Sequence, residues 1–172
     1  MDWSEVTRRV VVEAAAPHPD DVVVCFGDDV EVALTLAARV ARVIVRTSSR
    51  ERPEVTPNNL TFSVGEVAPF TLPGGTSVVV LHDALRRLDP VAQRELIRDI
   101  GRQLPPRALL VIGDVMWSVR PEQIDAPEQF GEGFEGAPTV LALERLVREA
   151  GFLPDVHRFG VGRAVCIALR GN

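Results

Sequence analysis

The chain has 172 residues, 46% of them hydrophobic and 25% charged, with a formal net charge of −5. It holds neither Tyr nor Lys, and all 19 basic residues are Arg. Chemistry that needs a lysine is thereby excluded: P-loop nucleotide binding, lysine Schiff bases, protein kinases, receiver domains with a switch lysine, and dehydrogenases built on a Tyr/Lys pair.

One compact domain is expected over 1–172. Ser4 can N-cap a first helix over about 5–15, with Val6, Val10 and Ala14 on its inner face, stopped by Pro17 and Pro19. Residues 21–26 do not alternate in polarity and read as a strand buried on both faces. Gly27, Asp28 and Asp29 form a turn before a helix over about 29–39, with Val30, Ala33, Leu34, Ala37 and Ala38 inward. A second strand is expected at 43–45, then a helix-poor crossover over 47–58, a third strand at 60–64 and a fourth at 77–81. Asp89 followed by Pro90 starts a helix that runs to about Leu104. A fifth strand is expected at 109–112, and Thr139 caps a helix ending at Ala150 with Gly151 as its left-handed C′ residue. Two strands at about 154–159 and 163–169 form an antiparallel hairpin.

Strands alternating with helices predict an α/β fold: a doubly wound, mostly parallel seven-stranded Rossmann-like sheet with a C-terminal antiparallel hairpin. Ligands of such sheets bind beyond the carboxyl ends of the strands, which directs attention to loops 27–29, 46–49, 65–67, 81–85 and 114–118. Residues 118–138 form an acidic, Gly- and Pro-rich excursion, with Glu122, Asp125, Glu128, Glu132 and Glu135 against Arg120 alone.

Several side chains there carry two readings. Asp28 and Asp29 can be helix caps or can attract a cationic ligand group. Thr47, Ser48 and Ser49 can be a turn or a hydroxyl cluster. His82 can be a general base or an ordinary loop histidine. Trp117 can wall a pocket or pack beneath the excursion. Cys25 and Cys166 lie in apolar runs and read as buried free thiols. His18, His82 and His157 form no metal-ligand spacing, so no metal is expected. No Gly-x-Ser-x-Gly elbow occurs, and no Gly-x-Gly-x-x-Gly follows the first strand.

The layout resembles that of class I S-adenosylmethionine-dependent methyltransferases along nearly the whole chain. Residues 22–31 match the first strand and cofactor loop, 43–49 the second strand, and Val64-Gly65-Glu66 the Gly-Asp after strand three. Residues 97–114 match the helix leading to strand five, and Ala150-Gly151-Phe152 the Ala-Gly-Phe before the final hairpin. The family's acid-x-Gly-x-Gly-x-Gly becomes Cys25-Phe26-Gly27-Asp28-Asp29-Val30-Glu31, which keeps Gly27 and places carboxylates at the next two glycine positions. Arg46-Thr47-Ser48 stands where the family has an acid for the ribose hydroxyls, and Pro105-Pro106-Arg107-Ala108 where it has Pro-Gly-Gly.

The resemblance implies S-adenosylmethionine as cofactor, with Gly27, Asp28, Thr47, Glu66, Val67 and His82 around it, Glu66 and His82 near the adenine. It implies methyl transfer to a small-molecule or protein acceptor, with no catalytic residue assigned. The acidity of 118–138 suits a cationic or amine-bearing acceptor. The alternative is a degenerate domain that has lost cofactor binding and acts as a partner or scaffold subunit, as a homo- or hetero-oligomer. Acidity and the absence of a long apolar run argue against nucleic-acid and membrane partners, and the polar start suggests a cytoplasmic protein.

Overall fold

The computed structural model describes residues 3–65, 70–117, 136–159 and 162–172. The elements follow in the order α1 (Trp3–Ala14), β1 (Val22–Phe26), α2 (Val30–Ala37), β2 (Arg42–Thr47), β3 (Leu60–Val64), β4 (Thr76–His82), α3 (Pro90–Gln103), β5 (Leu109–Val115), α4 (Val140–Glu149), β6 (Phe152–Phe159) and β7 (Arg163–Arg170). The strands form one seven-stranded sheet in the order β3-β2-β1-β4-β5-β7-β6. Neighbours are parallel from β3 to β5, while β7 runs antiparallel to both β5 and β6. This is the expected mixed sheet. The hairpin also folds back so that its second strand, not its first, pairs with β5.

Each central strand buries both faces. Val23, Cys25, Val43, Val45, Val78 and Val80 pack against α1 and α2, whereas Val24, Phe26, Ile44, Val79, Leu81 and Ile112 pack against α3 and α4. Side chains alternate across a strand, so a continuous apolar run supplies two cores at once. Cys25 and Cys166 are buried free thiols on opposite faces. Burial pushes each up to about 12, with nearby carboxylates adding to the effect, so neither is a nucleophile at neutral pH.

Two helical faces are corrected. The inner stripe of α1 is Thr7, Val11, Val12 and Ala15, one position on from the expected Val6, Val10 and Ala14, which are only half-buried. A run of three valines fits either register, and the buried Thr7 conceals the true one. Close approach decides it: α1 crosses β5 at Gly113, where a Cβ would collide with Val11. In α2, Val32 and Leu36 join Ala33 and Ala37 inside, while Val30 and Leu34 are half-buried, Leu34 at the edge of the core, and Ala38 is exposed. Ser4 is not a cap, since the helix begins before it and its hydroxyl accepts from Arg163 at 2.9 Å.

The other termini follow local chemistry. Asp29 accepts from the Glu31 N–H, Asp89 from Val91 and Ala92, and Thr139 from Ala142. The 48–59 crossover holds no helix, as expected, and its Asn59 side chain instead donates to the final carbonyls of the α2 region, Ala37 and Val40, at 2.8 and 3.0 Å. Arg107 holds φ +68° where the resemblance places a glycine, and its N–H donates to the Arg170 carbonyl.

Candidate functional site

β1, β2 and β4 end at one edge of the sheet, and the chain turns sharply after β1. Gly27 makes that turn with φ +126°, and a Cβ there would sit 2.7 Å from the His82 carbonyl oxygen. Only glycine permits both the angle and the approach. Beside it opens a cleft of about 450 Å³, within the range of small-ligand sites. Its walls are Gly27 and Asp28, the end of β2 at Arg46, Thr47 and Ser48, Gly65 after β3, and Ala84 to Glu95 leading into α3.

The two acids after β1 point to different places. Asp28 lines the cleft and does not cap the helix. Its carboxylate accepts from the Thr47 hydroxyl at 2.5 Å, from Arg87 at 2.7 Å and more loosely from Ser48 at 3.3 Å. The Thr47 bond, helped by the Ser49 N–H, Arg87 and Ser48 against some burial, holds Asp28 below the usual carboxylate range. Asp29 turns away from the cleft, toward Arg8 at 3.1 Å and His82 Nδ1 at 2.9 Å. Burial works to raise its pKa, but the bonds and charges of His82 and Arg8 outweigh it and hold the group at about 2. Glu31 is solvent-exposed and does not line the cleft.

Gly27, Asp28 and Thr47 are therefore brought together. His82 is not a loop residue: it ends β4, is 3% exposed, and packs its ring against Asp29 and Gly113 on the α1 side, outside the cleft lining. Glu66 and Val67 lie outside the described residues, as does the body of the 118–138 excursion. Among the described residues, no group of three or more His, Cys, Asp or Glu could hold a metal ion.

Beyond β4, the described residues of the edge are joined by ion pairs and hydrogen bonds. Asp83, in a left-handed conformation at φ +50°, accepts from Arg163 at 2.6 Å and lies 3.5 Å from Arg86. Asp114 is fully buried, in a β5 that runs three residues beyond its expected end. Its carboxylate accepts from the N–H groups of Leu85, Arg86 and Val115 at 2.8, 3.2 and 2.7 Å. Burial, then the charge of Asp83, pushes Asp114 up to about 6 against those bonds. The Gln93 amide donates to the carbonyls of Leu85, Leu88 and Gly136, which ties the short turn Leu85–Arg87 to the returning end of the excursion. Trp117 is buried with Val115 and Ala137.

Arg87 and Gln93 carried no sequence signal. Arg87 meets Asp28 from 59 positions away, and Gln93 meets Gly136 from 43, contacts that only the tertiary fold makes.

No protein-family model matches the sequence, and none of the curated proteins does. Solved structures do match in fold. A chain of the complex between the Haloferax volcanii Trm112 methyltransferase activator and its proposed methyltransferase superposes with TM-score 0.78 at 14% identity, over 99% of this chain and 90% of that one. Human N-acetylserotonin methyltransferase in complex with S-adenosylmethionine gives 0.74 at 15% identity, over 97% and 52%. The [4+2]-cyclase SpnF gives 0.76 at 15% identity, over 98% and 80%. The fold is that of the class I S-adenosylmethionine-dependent methyltransferases.

Proposed function

We propose that this protein binds S-adenosylmethionine in the cleft beside Gly27 and directs its methyl group to a small-molecule or protein acceptor. The observation that carries the reading is the orientation of the acids after β1. Two of them replace the glycines of a cofactor loop, yet Asp29 is drawn to Arg8 and His82, and Glu31 stands in solvent. The backbone at Gly27 is left bare for a ligand.

The residues present fit the group. Gly27 allows close approach of the chain, Ala84 and Leu88 supply apolar wall, and Asp28 offers an ionised acceptor. Glu66 and Val67 are proposed as adenine contacts. When bound, the sulfonium supplies an electrophilic methyl group, which leaves with cleavage of its carbon–sulfur bond while the sulfur keeps the electron pair. The protein's part is to align that bond with the acceptor, which needs positioning more than acid–base groups. The acidic excursion, joined to β5 and α4, supports a cationic or amine-bearing acceptor. We take 1–172 as one domain.

Calorimetric titration with S-adenosylmethionine and S-adenosylhomocysteine tests this. Dissociation constants of about 100 µM or tighter, weakened in Glu66→Ala, are expected. Absence of heat and of any thermal shift at millimolar ligand would overturn it.

A second reading, a partner or scaffold subunit without cofactor, draws on a different surface. Leu153 and Leu169 face each other across β6 and β7 and are 68% and 42% exposed. The matched Haloferax chain comes from a complex with an activator, which supports a protein partner here. Light scattering on the purified chain that shows a monomer, together with cofactor binding, would sink this alternative.

A further inference from the structure

Resting on the reading of the cleft just given, we infer that Asp28 is the residue that grips the ribose of the bound nucleoside, and that Arg87 competes with the ligand for it. The end of β2 is where doubly wound sheets recognise ribose hydroxyls, with an acid there accepting both protons. That position holds Arg46, Thr47 and Ser48, none of which offers a carboxylate. The structure nevertheless places a carboxylate at this spot, delivered from a different loop. Asp28 reaches from the β1 turn to the end of β2, bonded to Thr47 on the strand and to Ser48 just after it.

Three features make it a ligand group and not only a brace. Asp28 lines the cleft, and its side chain keeps 31% of its surface exposed. It is ionised, so it only accepts, and a ribose diol is a pair of donors. Its firm internal support is the Thr47 hydroxyl at 2.5 Å and the Ser49 N–H, while Ser48 stays at 3.3 and 3.4 Å from the two oxygens. Those long contacts are easily exchanged for ribose hydroxyls. The remaining competitor is Arg87, 2.7 Å away and itself 55% exposed, which faces Asp28 from the turn after β4. Arg87 swings off as the diol arrives. The ligand class is thus a nucleoside with free 2′ and 3′ hydroxyls.

The two partners of one ion pair should then behave oppositely. With S-adenosylhomocysteine and adenosine as calorimetric probes, Asp28→Asn is expected to weaken binding at least about tenfold, while Arg87→Ala strengthens it about two- to fivefold. In the unaltered protein, 2′,3′-dideoxyadenosine should bind at least about tenfold more weakly than adenosine, a comparison that needs no variant to fold. Loss of affinity in both variants, equal binding of the dideoxy compound, or tighter binding of adenosine 2′-monophosphate through Arg46 and Arg87 would overturn the inference. S-adenosylhomocysteine binding would in those cases keep the cofactor reading alive. Adenosine binding that depends on Asp28, without binding of S-adenosylmethionine or S-adenosylhomocysteine, would keep the ribose grip and overturn methyl transfer. Binding of none of these probes would overturn both.

Discussion

The two halves of the sheet's carboxyl edge are built from the same materials to opposite ends. At the tips of β1 and β2, Asp28, Thr47 and Ser48, with Arg87 from the turn after β4, line a cleft, and the Asp28 and Arg87 side chains keep part of their surface in water. At the tips of β4, β5 and β7, Asp83, Asp114, Arg86 and Arg163 close the gap between the strands with polar bonds. The difference lies in the partners. A carboxylate bonded to side chains at a cleft wall can exchange them for a ligand. One bonded to three backbone N–H groups in the interior cannot move without leaving donors orphaned. The first half is the proposed site, and the second is the frame beside it.

The largest expected effect is on that frame. Asp114→Ala strips the acceptor from two buried N–H groups and one partly buried one and should cost about 4 kcal/mol by urea unfolding near pH 5. A loss below about 1 kcal/mol would show that the turn after β4 is held some other way.

The same residue sets a pH signature. The Asp114 carboxyl ionises near 3.8 when unfolded and at about 6 when folded. Between those values the folded protein keeps a proton that the unfolded chain has lost, so stability falls as pH rises, by roughly 3 kcal/mol in all. Asp29 acts in the other direction. Its folded value of about 2 means that its contribution is present above pH 4 and is lost as pH falls through 2. Stability is therefore expected to peak near pH 4 and decline toward pH 6, with the decline absent in Asp114→Asn. A wild-type curve that rises from pH 4 to 6 would contradict the assignment.

Smaller effects divide the two halves most cleanly. Arg163 is 11% exposed and holds both Asp83 and Ser4, so Arg163→Ala should cost about 2 kcal/mol. Arg87 bonds its carboxylate at a similar distance but stands in solvent, and Arg87→Ala should change stability by no more than about 0.5 kcal/mol. Thermal melts of the pair at one pH decide it, and equal losses would erase the distinction between site and frame.

Much of the scaffold was legible in the chain. The run 21–26 announced a strand buried on both faces and 77–81 a further strand, and Asp89-Pro90 and Thr139 marked helix starts that the caps bear out. Gly151 holds the positive φ expected of a C′ residue. The stripes of α1 and α2 were less legible, because Val and Ala are so frequent there that neighbouring registers look equally apolar. In α1, close contact at Gly113 chose between them.

For the site, the sequence by itself determined which loops meet at the functional edge, because alternating strands and helices leave one topology and one set of strand ends. It also determined that Gly27 alone survives from a glycine-rich turn. Only the tertiary structure decided which way each acid points. Asp28 and Asp29 are chemically identical neighbours. One lines a cleft and the other braces the frame because Thr47 and Arg87 lie on one side of the β1 turn, and Arg8 and His82 on the other. Those partners come from distant segments whose meeting depends on packing, and a charge settles where its bonds are.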